Sequence, residues 1–221
     1  EIIQHSFKGS FSVPTQLETV DTRECNLVTF MLNLGGAVYY HIHGLKKPRI
    51  LPNKSLSIFF SSERTGHCRY QHQTCDIFML QVPKKLLLEY LGIMNLGCCT
   101  KKKLKLNESF IVIKPASDSF VKLAINITQR KVEQTSYIQC HLAHAFVCDA
   151  IRYLAEDGSC KKNTYYDLCE GLENAVRILD KDFALPPTIT QLAKKIGTNE
   201  TSLKSWFRKE LNTTIHQYTL Q

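Results

Sequence analysis

Thr201, Lys204, Ser205 and Arg208 stand at i, i+3, i+4 and i+7, a spacing that lines one face of a helix. Two hydroxyls and two long cations on one face suit a DNA groove, where hydroxyls touch base edges and Lys or Arg reaches bases or phosphates. Lys194, Lys195 and Lys209 flank that face and suit phosphate contact, which positions a protein without reading sequence. Asn199 precedes the face, caps the helix at the end nearest the bases, and is counted with the DNA-binding set. The plainer reading of the same pattern is a helical hairpin with a solvated basic side.

Two other groups of residues carry chemistry. Cys140, His144 and Cys148 recur at one and two turns of a helix, within an arc of about 100°, and are candidate metal ligands; the ordinary alternative is packing in a helix interface, where a thiol acts as a small hydrophobe. His41, His43, His67, Tyr70, His72 and Phe78 lie in the first half of the chain and are the candidates for an effector pocket. His41 and His43 point to one side of a strand, and Glu63 with His67 or His72 could extend them to a metal site. Their spacing does not converge on one. No nucleophile elbow, phosphate loop or zinc-hydrolase motif occurs, so no catalytic residue is assigned, no cofactor is required, and the chain is not expected to be an enzyme.

The elements that must hold these residues change in kind along the chain. Short strand candidates run over Leu27–Leu34, Val38–Ile42, Leu56–Phe60, Cys68–Gln71 and Ile77–Val82, separated by Gly, Pro, Asn or Ser clusters. Such a run predicts a small barrel or sandwich. Pro83 opens a short helix over Lys84–Leu91. A helical period marks Phe120–Ile127 and then Ser136–Ala155, long enough to cover a sheet or pair with a second subunit. Glu156–Asp167 reads as a linker, and a further helix carries Leu172, Val176 and Leu179.

The last part is the most specific. Thr188 with Gln191 is a capping box, Gly197 suits the left-handed residue that ends a helix, and Asn199 caps the next one. Ile189, Leu192, Ala193 and Ile196 form the apolar side of the first helix; Leu203, Trp206, Phe207 and Leu211 form that of the second. The phase of Trp206 places it in the core and not on the DNA-facing side.

Residues 186–208 and the ending Thr213-Thr-Ile-His-Gln-Tyr218 resemble the first helix-turn-helix of AraC-type transcription regulators, and within them the PchR-like, siderophore-responsive branch. Pro186-Pro-Thr, Asn199-Glu200, Leu203-Lys204 and Thr213-Thr-Ile carry the resemblance. It implies a DNA-binding domain of two helix-turn-helix units joined by a long helix. The residues up to Gln221 supply the first, so this piece alone is expected to hold operator DNA weakly. It also implies an α+β chain. Residues 1–160 form a cupin-like β-barrel with dimerisation-type helices, which binds effector, and residues 168–221 form an incomplete all-α helix-turn-helix subdomain. The implied function is regulation, as an activator, of iron-uptake genes. The implied partners are operator DNA, a homodimer mate, RNA polymerase, and a ferric siderophore as effector. A truncated dimerising partner of full-length regulators, or a metal-dependent cupin enzyme, are the alternatives.

Bulk properties agree without deciding. The chain has 221 residues, 43% hydrophobic, and a net charge of +8, compatible with nucleic acid but no proof of it. Nine scattered cysteines, an odd number, read as free thiols of a reducing compartment. No stretch of eighteen apolar residues occurs, so no membrane span is expected, and the expected location is the cytoplasm.

Overall fold

The computed structural model describes residues 2–20, 26–42, 44–45, 48–63, 65–71, 73–93, 99–129, 136–155, 164–211 and 213–220. Nine strands come first: β1 (Ile3–Phe11), β2 (Thr15–Val20), β3 (Leu27–Asn33), β4 (Val38–Ile42), β5 (Arg49–Leu51), β6 (Ser55–Phe60), β7 (Thr65–Tyr70), β8 (Gln73–Pro83) and, after two helices, β9 (Phe110–Pro115). The helices are α1 (Lys84–Ile93), α2 (Cys99–Lys105), α3 (Asp118–Gln129), α4 (Ser136–Ala155), α5 (Thr164–Lys181), α6 (Ile189–Ile196), α7 (Glu200–Glu210) and α8 (Ile215–Thr219).

The expected closed, cupin-like barrel is not what these strands build. They form two open antiparallel sheets, one of five strands in the order β1-β8-β3-β6-β9 and one of four in the order β2-β7-β4-β5. The reason lies in the side chains. Along β3, Val28, Phe30 and Leu32 point to one face and Met31 to the other, and all four are buried; β6 is buried at every position. A sheet apolar on both faces must be covered on both. Here the four-stranded sheet covers one face, through Met31, Phe59 and Ile77 against Val38, Ile42 and Leu51. Helices cover the other, with Leu87 of α1, Phe120 of α3 and Phe146 of α4 packed on Phe30, Phe78 and Leu80.

The outer face of the four-stranded sheet meets the last four helices. Ala37, Tyr39 and Ile50 join one apolar cluster with Leu172, Val176 and Leu179 of α5, Leu192 and Ala193 of α6, Leu203 and Phe207 of α7, and Ile215 of α8. The helix expected over 136–155 is α4 at those bounds. The lysine-rich residues 101–105 lie in α2, which anchors itself through the fully buried Leu104. Of the expected linker 156–167, residues 156–163 lie outside the described residues, and 164–167 are not linker but the first turn of α5. No helix among those described is long and apolar enough to cross a membrane.

Candidate nucleic-acid interface and effector cavity

Local chemistry builds the α6–α7 pair. The Thr188 hydroxyl accepts from the Gln191 N–H while the Gln191 side chain accepts from the Thr188 N–H, closing a capping box. Gly197 ends α6 at φ +74°, a left-handed conformation that costs a side-chain-bearing residue roughly 1–2 kcal/mol. Asn199 starts α7, its side-chain oxygen accepting from Ser202 N at 2.8 Å. Leu203 and Phe207 are fully buried, and this fixes the rotation of α7 about its axis.

That rotation turns Thr201, Lys204, Ser205, Arg208 and Lys209 outward, where they are exposed and together line one shallow concavity. Lys194 and Lys195 are exposed at the end of α6. Lys204 Nζ lies 3.2 Å from Glu200 Oε2 and Lys195 Nζ lies 3.8 Å from Asp182; both pairs are well solvated, so neither holds its lysine firmly. Glu200 also accepts from the Thr190 hydroxyl at 2.6 Å, and the hydrogen bonds from Thr190 and then Lys204 hold its carboxyl below the usual range. At the far end of α7, burial pushes the Glu210 carboxyl up, with Lys209 opposing.

Between the two sheets lies a cavity of about 490 Å³. Phe7, Leu17, Met31, Ile42, Phe59, Ile77 and Met79 supply much of its wall. Polar groups are fewer: His5 hydrogen-bonded to Gln81 at 3.0 Å, with Thr29, Ser61, Glu63 and Thr65. Tyr70 lines it as well, stacked on Phe11 at 4.5 Å between ring centroids. Burial, then the neighbouring Cys68 and Cys75 thiols, push the Tyr70 phenol far up, and burial raises both thiols too.

Of the other residues named for an effector pocket, His41, His67 and Phe78 are placed elsewhere. His41 and His67 face each other across β4 and β7 with ring centroids 5.0 Å apart, on the side of the strands that also carries Tyr39. Phe78 points away from the cavity into the helical layer, edge-on to Phe146 at 5.5 Å. His43 and His72 lie outside the described residues. Cys140, His144 and Cys148 share a face of α4, but eight residues of helix separate the two cysteines by about 12 Å. His144 Nδ1 is hydrogen-bonded to the Tyr90 hydroxyl of α1. Among the described residues no three His, Cys, Asp or Glu side chains cluster as a metal site.

One arrangement was not anticipated by the residue patterns. The four-stranded sheet clasps α5 with two ion pairs, one from its edge strand β5 and one from β7, and α8 joins through Tyr218. Arg49 Nε donates to Glu173 Oε1 at 2.8 Å, and Arg69 Nη2 donates to Asp180 Oδ2 at 3.2 Å. Asp180 Oδ1 accepts from the Tyr218 hydroxyl at 3.0 Å, and the Arg69 guanidinium lies 4.7 Å over the Tyr39 ring. The sequence signal was slight: lone arginines in β-strands, each followed or flanked by core residues.

No family model matches the chain, and no curated protein matches it. Among solved structures, ToxT from Vibrio cholerae is similar at 9% identity over 99% of this chain and 98% of that one, with a TM-score of 0.43. Unsaturated fatty acid-bound ToxT from strain SCE256 is similar at 10% identity over 99% and 76%, TM-score 0.46. The AraC-like transcriptional activator CuxR is similar at 12% identity over 99% and 73%, TM-score 0.44.

Proposed function

We propose that this chain is a DNA-binding transcription regulator of the AraC type, with a sensor portion over residues 1–160 and a first helix-turn-helix over residues 168–221. A small molecule held between the two sheets controls it. The observation that carries the reading is the exposed face of Thr201, Lys204, Ser205 and Arg208 on a capped helix whose opposite side is buried. Such a helix presents hydroxyls and cations to a groove at little cost in order, because its own core already holds it. Lys194, Lys195 and Lys209 are the phosphate contacts, and Asn199 sets the helix end beside the bases. No catalytic role is proposed.

The siderophore-responsive branch, the activating sense, the iron-uptake targets, the homodimer and the contact with RNA polymerase come from the resemblance of residues 186–218. The cavity adds a constraint of its own. Its walls are mainly apolar, so the portion of an effector seated there is apolar or amphipathic, with His5, Gln81 and Tyr70 available for hydrogen bonds. A chelated iron held by Cys140, His144 and Cys148 is not needed for this reading.

Fluorescence anisotropy with a labelled random-sequence duplex at low salt tests it. Binding is expected to weaken steeply with salt, as phosphate contacts release counterions. Lys204→Ala with Arg208→Ala is expected to lower affinity by about tenfold or more and to flatten the salt slope by about two. Equal binding by wild type and double variant, or binding indifferent to salt, would remove α7 from the DNA-reading role. Titration with iron-loaded and iron-free siderophores then tests the effector separately.

A further inference from the structure

Strands β4, β5 and β7 have two faces with different neighbours. Tyr40, Leu51, Cys68 and Tyr70 line the cavity, while the alternate residues Tyr39, Ile50 and Arg69 meet the C-terminal helices. Arg69 is therefore bracketed by two cavity-wall residues, Cys68 and Tyr70. Its guanidinium is bonded to Asp180 of α5, and the same helix carries Gly171, against which the Trp206 ring of α7 is seated. A continuous path of contacts runs from the cavity wall to the helix with the DNA-facing residues.

We propose that the Arg69–Asp180 bond links occupancy of the cavity to the placement of α7, so that cavity ligand and DNA bind with mutually altered affinity. This rests on the reading of the cavity as effector site and of α7 as DNA-reading helix. The physical argument is one of stiffness and geometry. Side chains alternate along a strand, so a ligand that pushes Tyr70 or Cys68 outward displaces Arg69 toward α5. A hydrogen-bonded ion pair weakens steeply with small changes in distance and angle, whereas the apolar contacts around it tolerate them. Arg69 Nε is buried without a hydrogen-bond partner, so the guanidinium is incompletely satisfied where it stands. Coupling needs an element with two arrangements, and an incompletely satisfied guanidinium is the member of this path least committed to one.

The test uses the whole chain and a neutral apolar dye, N-phenyl-1-naphthylamine, whose emission rises on entering an apolar cavity. Its Kd is measured for wild type, Arg69→Gln, Asp180→Asn and the double variant, each checked for a cooperative unfolding transition. Linkage is reciprocal, so a contact that responds to the ligand must change the ligand's affinity when it is removed. Each single substitution is expected to shift the dye Kd by about fivefold or more, and the double variant by no more than one single, because both remove one bond. Saturable dye binding with the same Kd in all four proteins overturns the proposal and leaves the cavity reading standing. Leu17→Trp, which fills the cavity where its wall is half open, is expected to block the dye. If it does not, or if wild type fails to bind dye, the cavity reading falls and the proposal with it. Hydrogen exchange of residues 172–181 in wild type needs no variant: it is expected to change when the dye saturates, and unchanged exchange overturns the coupling.

Discussion

Glu173 holds Arg49 from 124 residues away: its Oε1 accepts both the Arg49 Nε–H at 2.8 Å and the Ile50 backbone N–H at 2.9 Å. The two side chains are only 17% and 10% exposed, so the pair lies in a medium where an abandoned charge is costly. Glu173→Ala removes the acceptor of both bonds at this buried place, and is expected to destabilise the chain by about 3 kcal/mol. Arg49→Met with Glu173→Met replaces both charges with apolar volume and is expected to recover much of that loss. Urea denaturation of wild type and the two variants reads both values. A double variant that recovers none of the loss would show that the two residues do not act as a pair.

Gly171 and Trp206 make a second join, between α5 and α7. A Cβ on residue 171 would stand 2.8 Å from Trp206 Cζ3, and an indole cannot yield as a flexible chain end would. Gly171→Ala gains about 1 kcal/mol of helix propensity but must push the ring aside, at about 1–3 kcal/mol. The net expectation is a modest loss of stability with a clear shift in emission, since Trp206 is the chain's one tryptophan. An unshifted spectrum would place the indole away from α5.

How far the residues alone could be read follows from how local each interaction is. Thr188, Gln191, Gly197 and Asn199 act on neighbours within a few positions, so the caps of α6 and α7 could be foreseen. The clasp could not: Arg69 and Asp180 are 111 residues apart, and nothing in the spacing pairs them. β1 and β2 escaped notice because their side chains are mostly polar and exposed; their pairing with β8 and β7 is a matter of backbone hydrogen bonds. The open sheets were legible in principle. In Leu27–Leu34 the face of Val28, Phe30, Leu32 and Leu34 is wholly apolar, and Leu27 and Met31 add apolar surface beside Thr29 and Asn33 on the other, which asks for cover on two faces. The choice among His41, His67, Tyr70 and Phe78 depended on which face of each strand looks inward, and a shift of one residue reverses that.

Tyr39 gives the clasp a signature in alkali. Its ring is buried beneath the Arg69 guanidinium, and burial first, then the Asp180 carboxylate, push its phenol up to about 12. In the unfolded chain the same group titrates near pH 10. The folded state therefore holds the proton more tightly. This contribution to stability is fully present below about pH 10 and is lost as the pH rises toward about 12. Two units of difference amount to about 2–3 kcal/mol at most. Tyr39→Phe keeps the ring under Arg69 but has no proton to lose, so its stability is expected to fall less between pH 9.5 and 11.5 than that of wild type. Other buried tyrosines, Tyr70 and Tyr218 among them, titrate in both proteins and cancel in the difference. Parallel stability curves for the two proteins over that range would mean that the Tyr39 hydroxyl is solvated in solution, and that Arg69 and Asp180 close less tightly over the sheet than their 3.2 Å contact requires.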